Sequence, residues 1–180
     1  MVTAVAAVAS NQQHAQGLTV LGRAADRAPH LAGVIADLLA AAGTRAATSA
    51  LVVATRLEQP QPVLDALRTF VAAADLDSIR RLNAALPVFS LVLARTSADI
   101  AQTLVERNRE LTASDRGAYL PDLAGSVNNL AIYLAEVGRR PEALAAAQEA
   151  VALYNEAVEK YGPVFADDAQ RSQEVLDTLA

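Results

Sequence analysis

The stretch SVNNLAIYLAEVGRRPEAL, Ser126 to Leu144, decides how this chain folds. Val127, Leu130, Leu134 and Val137 fall at i, i+3, i+7 and i+10, one face of an α-helix. Gly138 is placed to end that helix. Pro141 is placed to open the next, where a missing N–H costs nothing. Leu144, Ala147, Ala150, Val151 and Tyr154 then mark one face of a second helix. Small residues at Ala143, Ala147 and Ala150 let two antiparallel helices approach closely. Tyr119 to Tyr161 therefore reads as an αα-hairpin with a short loop.

Helical periodicity continues outward in both directions. From Pro87 to about Leu111 no breaker occurs, and Leu86, Leu93, Ile100, Leu104 and Leu111 keep to one face. This predicts one long helix of about 25 residues. The polar run Thr112–Gly117 reads as a linker. Earlier, Leu31, Val34, Ile35, Leu38, Leu39 and Ala42 share a buried face that Gly43 closes as a C′ residue. A helix over Thr44–Leu57 is expected to end at the QPQP run, 59–62, and another carries Val63, Leu67, Phe70 and Val71. Asp75 or Asp77 caps a short helix with Ile79, Leu82 and Leu86 inside, which Pro87 follows. A helix from about Ala15 to Ala28 precedes these. After the hairpin, a final helix from about Val164 to Leu179 covers its exposed side. The predicted fold is all-α: antiparallel helical hairpins of the α-solenoid kind with an irregular helical N-terminal part. Its divisions are a helical region over 1–112 with room for degenerate repeats, the hairpin over 116–161, and a capping helix over 164–180.

Composition excludes several chemistries. The chain has 180 residues, of which 41 are alanine and none is cysteine or tryptophan. Without cysteine there are no disulfides, thiolate metal sites or cysteine nucleophiles, which suits a cytoplasmic setting. A net charge of −5 argues against a nucleic-acid binder, whose footprint is a basic face. The basic residues are 14 Arg and one Lys (Lys160), a bias that a high-GC genome tends to encode. No run approaches the length of a transmembrane helix. Val2 to Ala9 is apolar but has no basic residue before it, so a signal peptide is not expected. His14 and His30 each lack a second ligand at helical spacing, so no metal site is expected. No serine sits in a Gly-x-Ser-x-Gly elbow, and no glycine-rich phosphate loop exists. Asp167 and Asp168 lie just inside a helix start, where they favour the helix N-terminus. The chain is expected not to be an enzyme and to need no cofactor.

With those residues in hand, Ser126 to Leu144 resembles a tetratricopeptide repeat. The framework spacing matches at Leu130, Ala131, Leu134, Gly138, Ala143 and Ala150. The Asn-Asn-Leu-Ala opening is similar to the kinesin-light-chain variety, which has longer helices. The alanine-rich wording resembles arrays common in actinobacterial proteins, where they often follow signalling ATPase modules. Arg140 and Ala147 stand where the family usually carries aromatics. A second copy is faint: at a shift of 46, Tyr119, Asp122, Ser126 and Leu130 align with Phe165, Asp168, Ser172 and Leu176. At the same shift Gln102, Val105 and Glu110 align with Gln148, Val151 and Glu156. One clear repeat thus stands between two half-repeats.

The resemblance implies a module that binds a peptide or partner protein, with Asn128 and Asn129 facing a concave groove. A side-chain amide holds both donors and an acceptor, which suits recognition of an extended backbone. The blander reading has one amide bonding a nearby turn and the other solvated. Arg139 and Arg140 sit in the hairpin turn, where they pair with an acidic partner, stay solvated or serve the helix C-terminus. Tyr133 and Tyr154 read as packing residues. The alternative function is structural self-association into a homo-oligomer without a peptide ligand, with Val2–Ala9 as the dimerising or docking segment.

Overall fold

The computed structural model describes residues 11–25, 28, 31–87 and 90–180. Val2–Ala9 and His30 lie outside the described residues. Among these the chain is all-α, with no strand and nine α-helices. They are α1 (Asn11–Ala25), α2 (Leu31–Ala42), α3 (Thr44–Ala54), α4 (Gln61–Ala73), α5 (Leu76–Ala84), α6 (Ala94–Ser114), α7 (Arg116–Glu136), α8 (Arg140–Tyr161) and α9 (Ala166–Leu179). A 3₁₀ turn, Pro163–Phe165, leads into α9. The contacts divide the chain into two compact units, Met1–Thr96 and Ser97–Ala180.

In the first unit α1 packs mainly on α3 and α2 on α4, with α5 against α3. Leu18, Ile35, Leu39, Leu51, Val63, Leu67, Ile79 and Leu82 are fully enclosed. Gly43 closes α2 as expected, with its N–H bonded to the Leu39 carbonyl at 2.8 Å. Asp75 caps α5, its carboxylate accepting from the Ser78 N–H at 2.8 Å. Thr44 Oγ1 at the start of α3 donates to Ser78 Oγ at 2.8 Å, so the same cap ties α5 to α3.

In the second unit α7 and α8 form an antiparallel hairpin. Its seam is built from Leu123, Val127, Leu130 and Leu134 together with Ala143, Ala147, Ala150 and Ala157, all buried. Ala101 and Val105 of α6 join that core, and α9 packs on both α8 and α7. The inner side of α9 buries Ser172 and Leu179, while Asp167, Gln170, Gln173, Glu174 and Asp177 stay exposed.

Two expectations need correcting. The long helix predicted from Pro87 to about Leu111 is shorter and later, running from Ala94 to Ser114. Leu86 and Leu93 are buried at 7% and 0% exposure, but outside any helix. The competitor is Ser90, whose carbonyl and Oγ both accept from the Leu93 N–H, at 3.1 and 3.3 Å, in a turn that delays the helix. The linker predicted over Thr112–Gly117 is absorbed into helices, leaving Asp115 alone between α6 and α7. Asp115 accepts from the Ala118 N–H at 3.0 Å, so the polar run is a capping signature.

Candidate functional site

The hairpin turn is set by its own backbone. Gly138 takes φ +76°, a conformation that costs an L side chain about 1 kcal/mol or more. That bend lets the Gly138 N–H bond the Ala135 carbonyl at 3.0 Å and the Arg139 N–H bond the Leu134 carbonyl at 2.9 Å. The pair is a Schellman closure, which satisfies the last carbonyls of α7 and reverses the chain. Arg139 then turns onto its own helix start: its guanidinium forms a two-point ion pair with Glu142, with Nε to Oε1 at 2.7 Å. This hydrogen bond raises the Arg139 pKa and lowers that of Glu142. Arg140 is exposed at the first position of α8.

α7 carries a proline in its interior, Pro121. Proline donates no N–H, which leaves the carbonyl four residues back, at Gly117, without its helical partner. The Tyr161 hydroxyl at the end of α8 donates to that carbonyl. Nearby, Arg116 of α7 forms a two-point ion pair with Glu156 of α8, the shorter reach from Nη2 being 2.5 Å. Arg109 of α6 pairs with Glu149 of α8 through Nη2 alone, which reaches the two carboxylate oxygens at 2.7 and 2.9 Å. Asn108 of α6 donates to the Asp122 carbonyl of α7 at 3.2 Å. Helices α6, α8 and α9 therefore all engage α7.

One stripe of α7 is left over. At helical spacing, Pro121, Gly125, Asn128, Asn129, Ile132 and Glu136 lie opposite the buried seam, and every one is half-buried rather than exposed. The face is half-buried rather than fully solvated. Two of its oxygens, Asn128 Oδ1 and Glu136 Oε1, are buried and accept no hydrogen bond. The Tyr133 hydroxyl pKa is raised, first by burial and then by the Glu136 carboxylate. At the other end, Gly125 leaves room for Tyr154: a Cβ there would stand 3.2 Å from the hydroxyl. Tyr154 is itself buried, and its pKa is raised by burial and by Asp168.

The four residues singled out in the sequence do not form one cluster. Asn128 and Asn129 lie on the α7 stripe, about 10–12 Å of helical rise before α7 ends, whereas Arg139 and Arg140 lie beyond that end in the reversing turn and at the start of α8. Arg139 is already engaged by Glu142. The residues missed in the sequence are Glu136, Ile132 and Gly125. Their spacing from Asn128, i+4 for Ile132, i+8 for Glu136 and i−3 for Gly125, puts them on its face, but nothing else in the sequence marks them.

Other candidates resolve structurally. Asp167 and Asp168 sit in the first turn of α9, and Asp168 pairs with Arg171. His14 is buried in the first unit. Among the described residues no group of three His, Cys, Asp or Glu is placed to hold a metal ion, and no helix is long and apolar enough to cross a membrane. Compared with protein-family models, with curated proteins and with solved structures, the chain matches none of them.

Proposed function

We propose that the second unit is a protein-interaction module in which the α7 stripe receives an extended peptide segment. The observation that carries this reading is Asn128, whose side-chain amide stays half-buried on the α7 face opposite the hairpin seam. A side-chain amide offers two donors and an acceptor, which suits hydrogen bonding to an extended backbone. Asn129 beside it supplies a second amide, and Ile132 between Asn128 and Glu136 supplies apolar contact. The tetratricopeptide-like spacing of the hairpin agrees with this use of the face, and so does α9, whose polar outer side suits the end of a stack of helices.

The test is selection of extended peptides from a random displayed library on the full chain, followed by fluorescence anisotropy of the selected sequences. Replacing both amides (Asn128→Ala with Asn129→Ala) is expected to weaken binding about tenfold or more, with the helical circular dichroism unchanged. Peptides that bind the double variant as tightly as the parent would refute the reading.

Self-association is the competing proposal, and it rests on Leu91 and Val92. These adjacent apolar residues are 97% and 40% exposed in the turn before α6. Light scattering at two concentrations separates the readings, since a strict monomer eliminates self-association.

A further inference from the structure

We propose that this chain pairs with a second copy of itself by exchanging α7, α8 and α9 across the single residue Asp115. Asp115 alone stands between α6 and α7, each of which is 21 residues long. The chain folds back there. Asn108 and Asp122, seven positions to either side, are joined by the bond from Asn108 Nδ2 to the Asp122 carbonyl at 3.2 Å. Thr112 Oγ1 reaches the Tyr119 carbonyl at 3.4 Å across the same bend.

Little separates this bend from an unbroken helix. The Asp115 N–H bonds the Leu111 carbonyl at 2.8 Å, and the Tyr119 N–H bonds the Asp115 carbonyl at 3.2 Å, both at the helical spacing of i to i−4. Between them stand the N–H groups of Arg116, Gly117 and Ala118, which as the first residues of α7 have no partner within that helix. The Asp115 carboxylate takes the Ala118 N–H at 3.0 Å. Straightening the chain gives the three N–H groups the last carbonyls of α6, at Thr112, Ala113 and Ser114.

The buried faces fit a straightened helix as well. Val105, Asn108 and Thr112 of α6 are buried, and so are Leu123, Ser126 and Leu130 of α7, each eighteen positions later. Eighteen residues make five turns, so one helix from Ala94 to Glu136 carries all six side chains on one side. Two such helices, antiparallel about Asp115, set α6 of each copy against α7 of the other. The contacts that close across the bend in one chain are then remade between chains: Ala101 and Val105 in the hairpin core, Asn108 on Asp122, and Arg109 on Glu149. Because the closed and exchanged forms share these contacts, the bend at Asp115 decides between them. A short connection favours exchange, since closing one chain on itself demands the sharpest reversal.

The test refolds the full chain from urea at high protein concentration, dilutes it, and reads its mass by gel filtration with light scattering. Asp115→Ala removes the cap and adds a helix former. It is expected to raise the dimer-to-monomer ratio about tenfold for each hinge, and so about a hundredfold for the two. Asp115→Asn keeps a capping side chain and is expected to match the parent. Inserting Gly-Ser-Gly between Ser114 and Asp115 relaxes the reversal and is expected to leave a monomer. Charge then identifies the exchange. Chains with Arg109→Glu, mixed before refolding with chains carrying Glu149→Arg, restore both ion pairs only in an exchanged heterodimer. Native mass spectrometry is expected to show that heterodimer at several times its statistical share at low salt. Leu91→Ser with Val92→Ser is expected to leave the exchanged dimer intact, which separates it from association through that exposed turn. A folded Asp115→Ala chain that stays monomeric overturns the proposal. Should that variant not fold, a parent that refolds wholly as monomer overturns it equally. So does a heterodimer at its statistical share, or a dimer that survives the insertion.

Discussion

Tyr161 returns to α7 the hydrogen bond that Pro121 takes away. Phenylalanine at position 161 would keep the edge-on contact with Phe165, whose ring centre is 5.9 Å away at 72°, and would lose only the hydroxyl. Tyr161→Phe is therefore expected to cost about 1 kcal/mol, read as a lower urea midpoint with an unchanged slope. No loss would mean that water satisfies the Gly117 carbonyl equally well. Asp75 makes a prediction about pH. Its carboxyl pKa lies below the ordinary 3.8, first through the Ser78 N–H and then through the Ser78 hydroxyl. A depressed folded-state pKa contributes stability that is fully present above the unfolded value and is lost as pH falls through the folded one. The melting temperature of Asp75→Ala should lie below that of the parent at neutral pH, and the gap should narrow only below about pH 4. A gap that is constant down to pH 2.5 would show that the cap acts without its charge.

At the scale of helices, the hairpin depends on small residues at the crossing of α7 and α8. Ala143, Ala147 and Ala150 are fully enclosed, so no space is left for a larger side chain. Ala147→Leu is expected to destabilise the chain by about 1–3 kcal/mol in chemical denaturation, because the helices must move apart. A neutral outcome would mean that the seam has slack. The ion pairs across the helices carry less weight. Arg109 and Glu149 keep 48% and 39% of their side chains exposed, a setting in which a pair is worth about 1 kcal/mol or less. This scale also shows how much the sequence discloses. The faces of α2, α4 and α7 follow from apolar spacing, and the turn at Gly138 follows from Gly and Pro. The ends of α6 did not follow, because Ser90 and Asp115 act through short-range bonds that a count of apolar positions does not register. Within the candidate site, Asn128 and Asn129 were legible as polar residues on an apolar helix. Glu136 was not, since a glutamate near a helix end is ordinarily a solvated one.

For the whole molecule, the second unit depends on its last helix. Phe165, Ala169, Val175 and Leu176 pack on the hairpin core, and Leu179 is buried in it. Ending the chain at Gly162 would uncover that apolar side of α8 and leave it without the polar surface that α9 presents. The shortened chain is expected to melt at lower temperature and to associate, seen as a concentration-dependent rise in sedimentation coefficient. A shortened chain that stays monomeric with an unchanged melting temperature would show that α9 is an accessory.

What the sequence determined by itself is the helical class, the hairpin and its small-residue seam. Each of these is a local or periodic property: alanine favours helix, apolar residues at helical spacing make a face, and glycine permits the reversing turn. The tertiary structure alone decided which polar groups are used up and which are left over. Arg139 meets Glu142, Tyr161 meets Gly117 and Arg116 meets Glu156, while Asn128 and Glu136 keep buried oxygens with no donor. Two of those three pairings join residues 40 or more positions apart. Periodicity reports the direction a side chain takes from its helix, and only packing brings a partner to it.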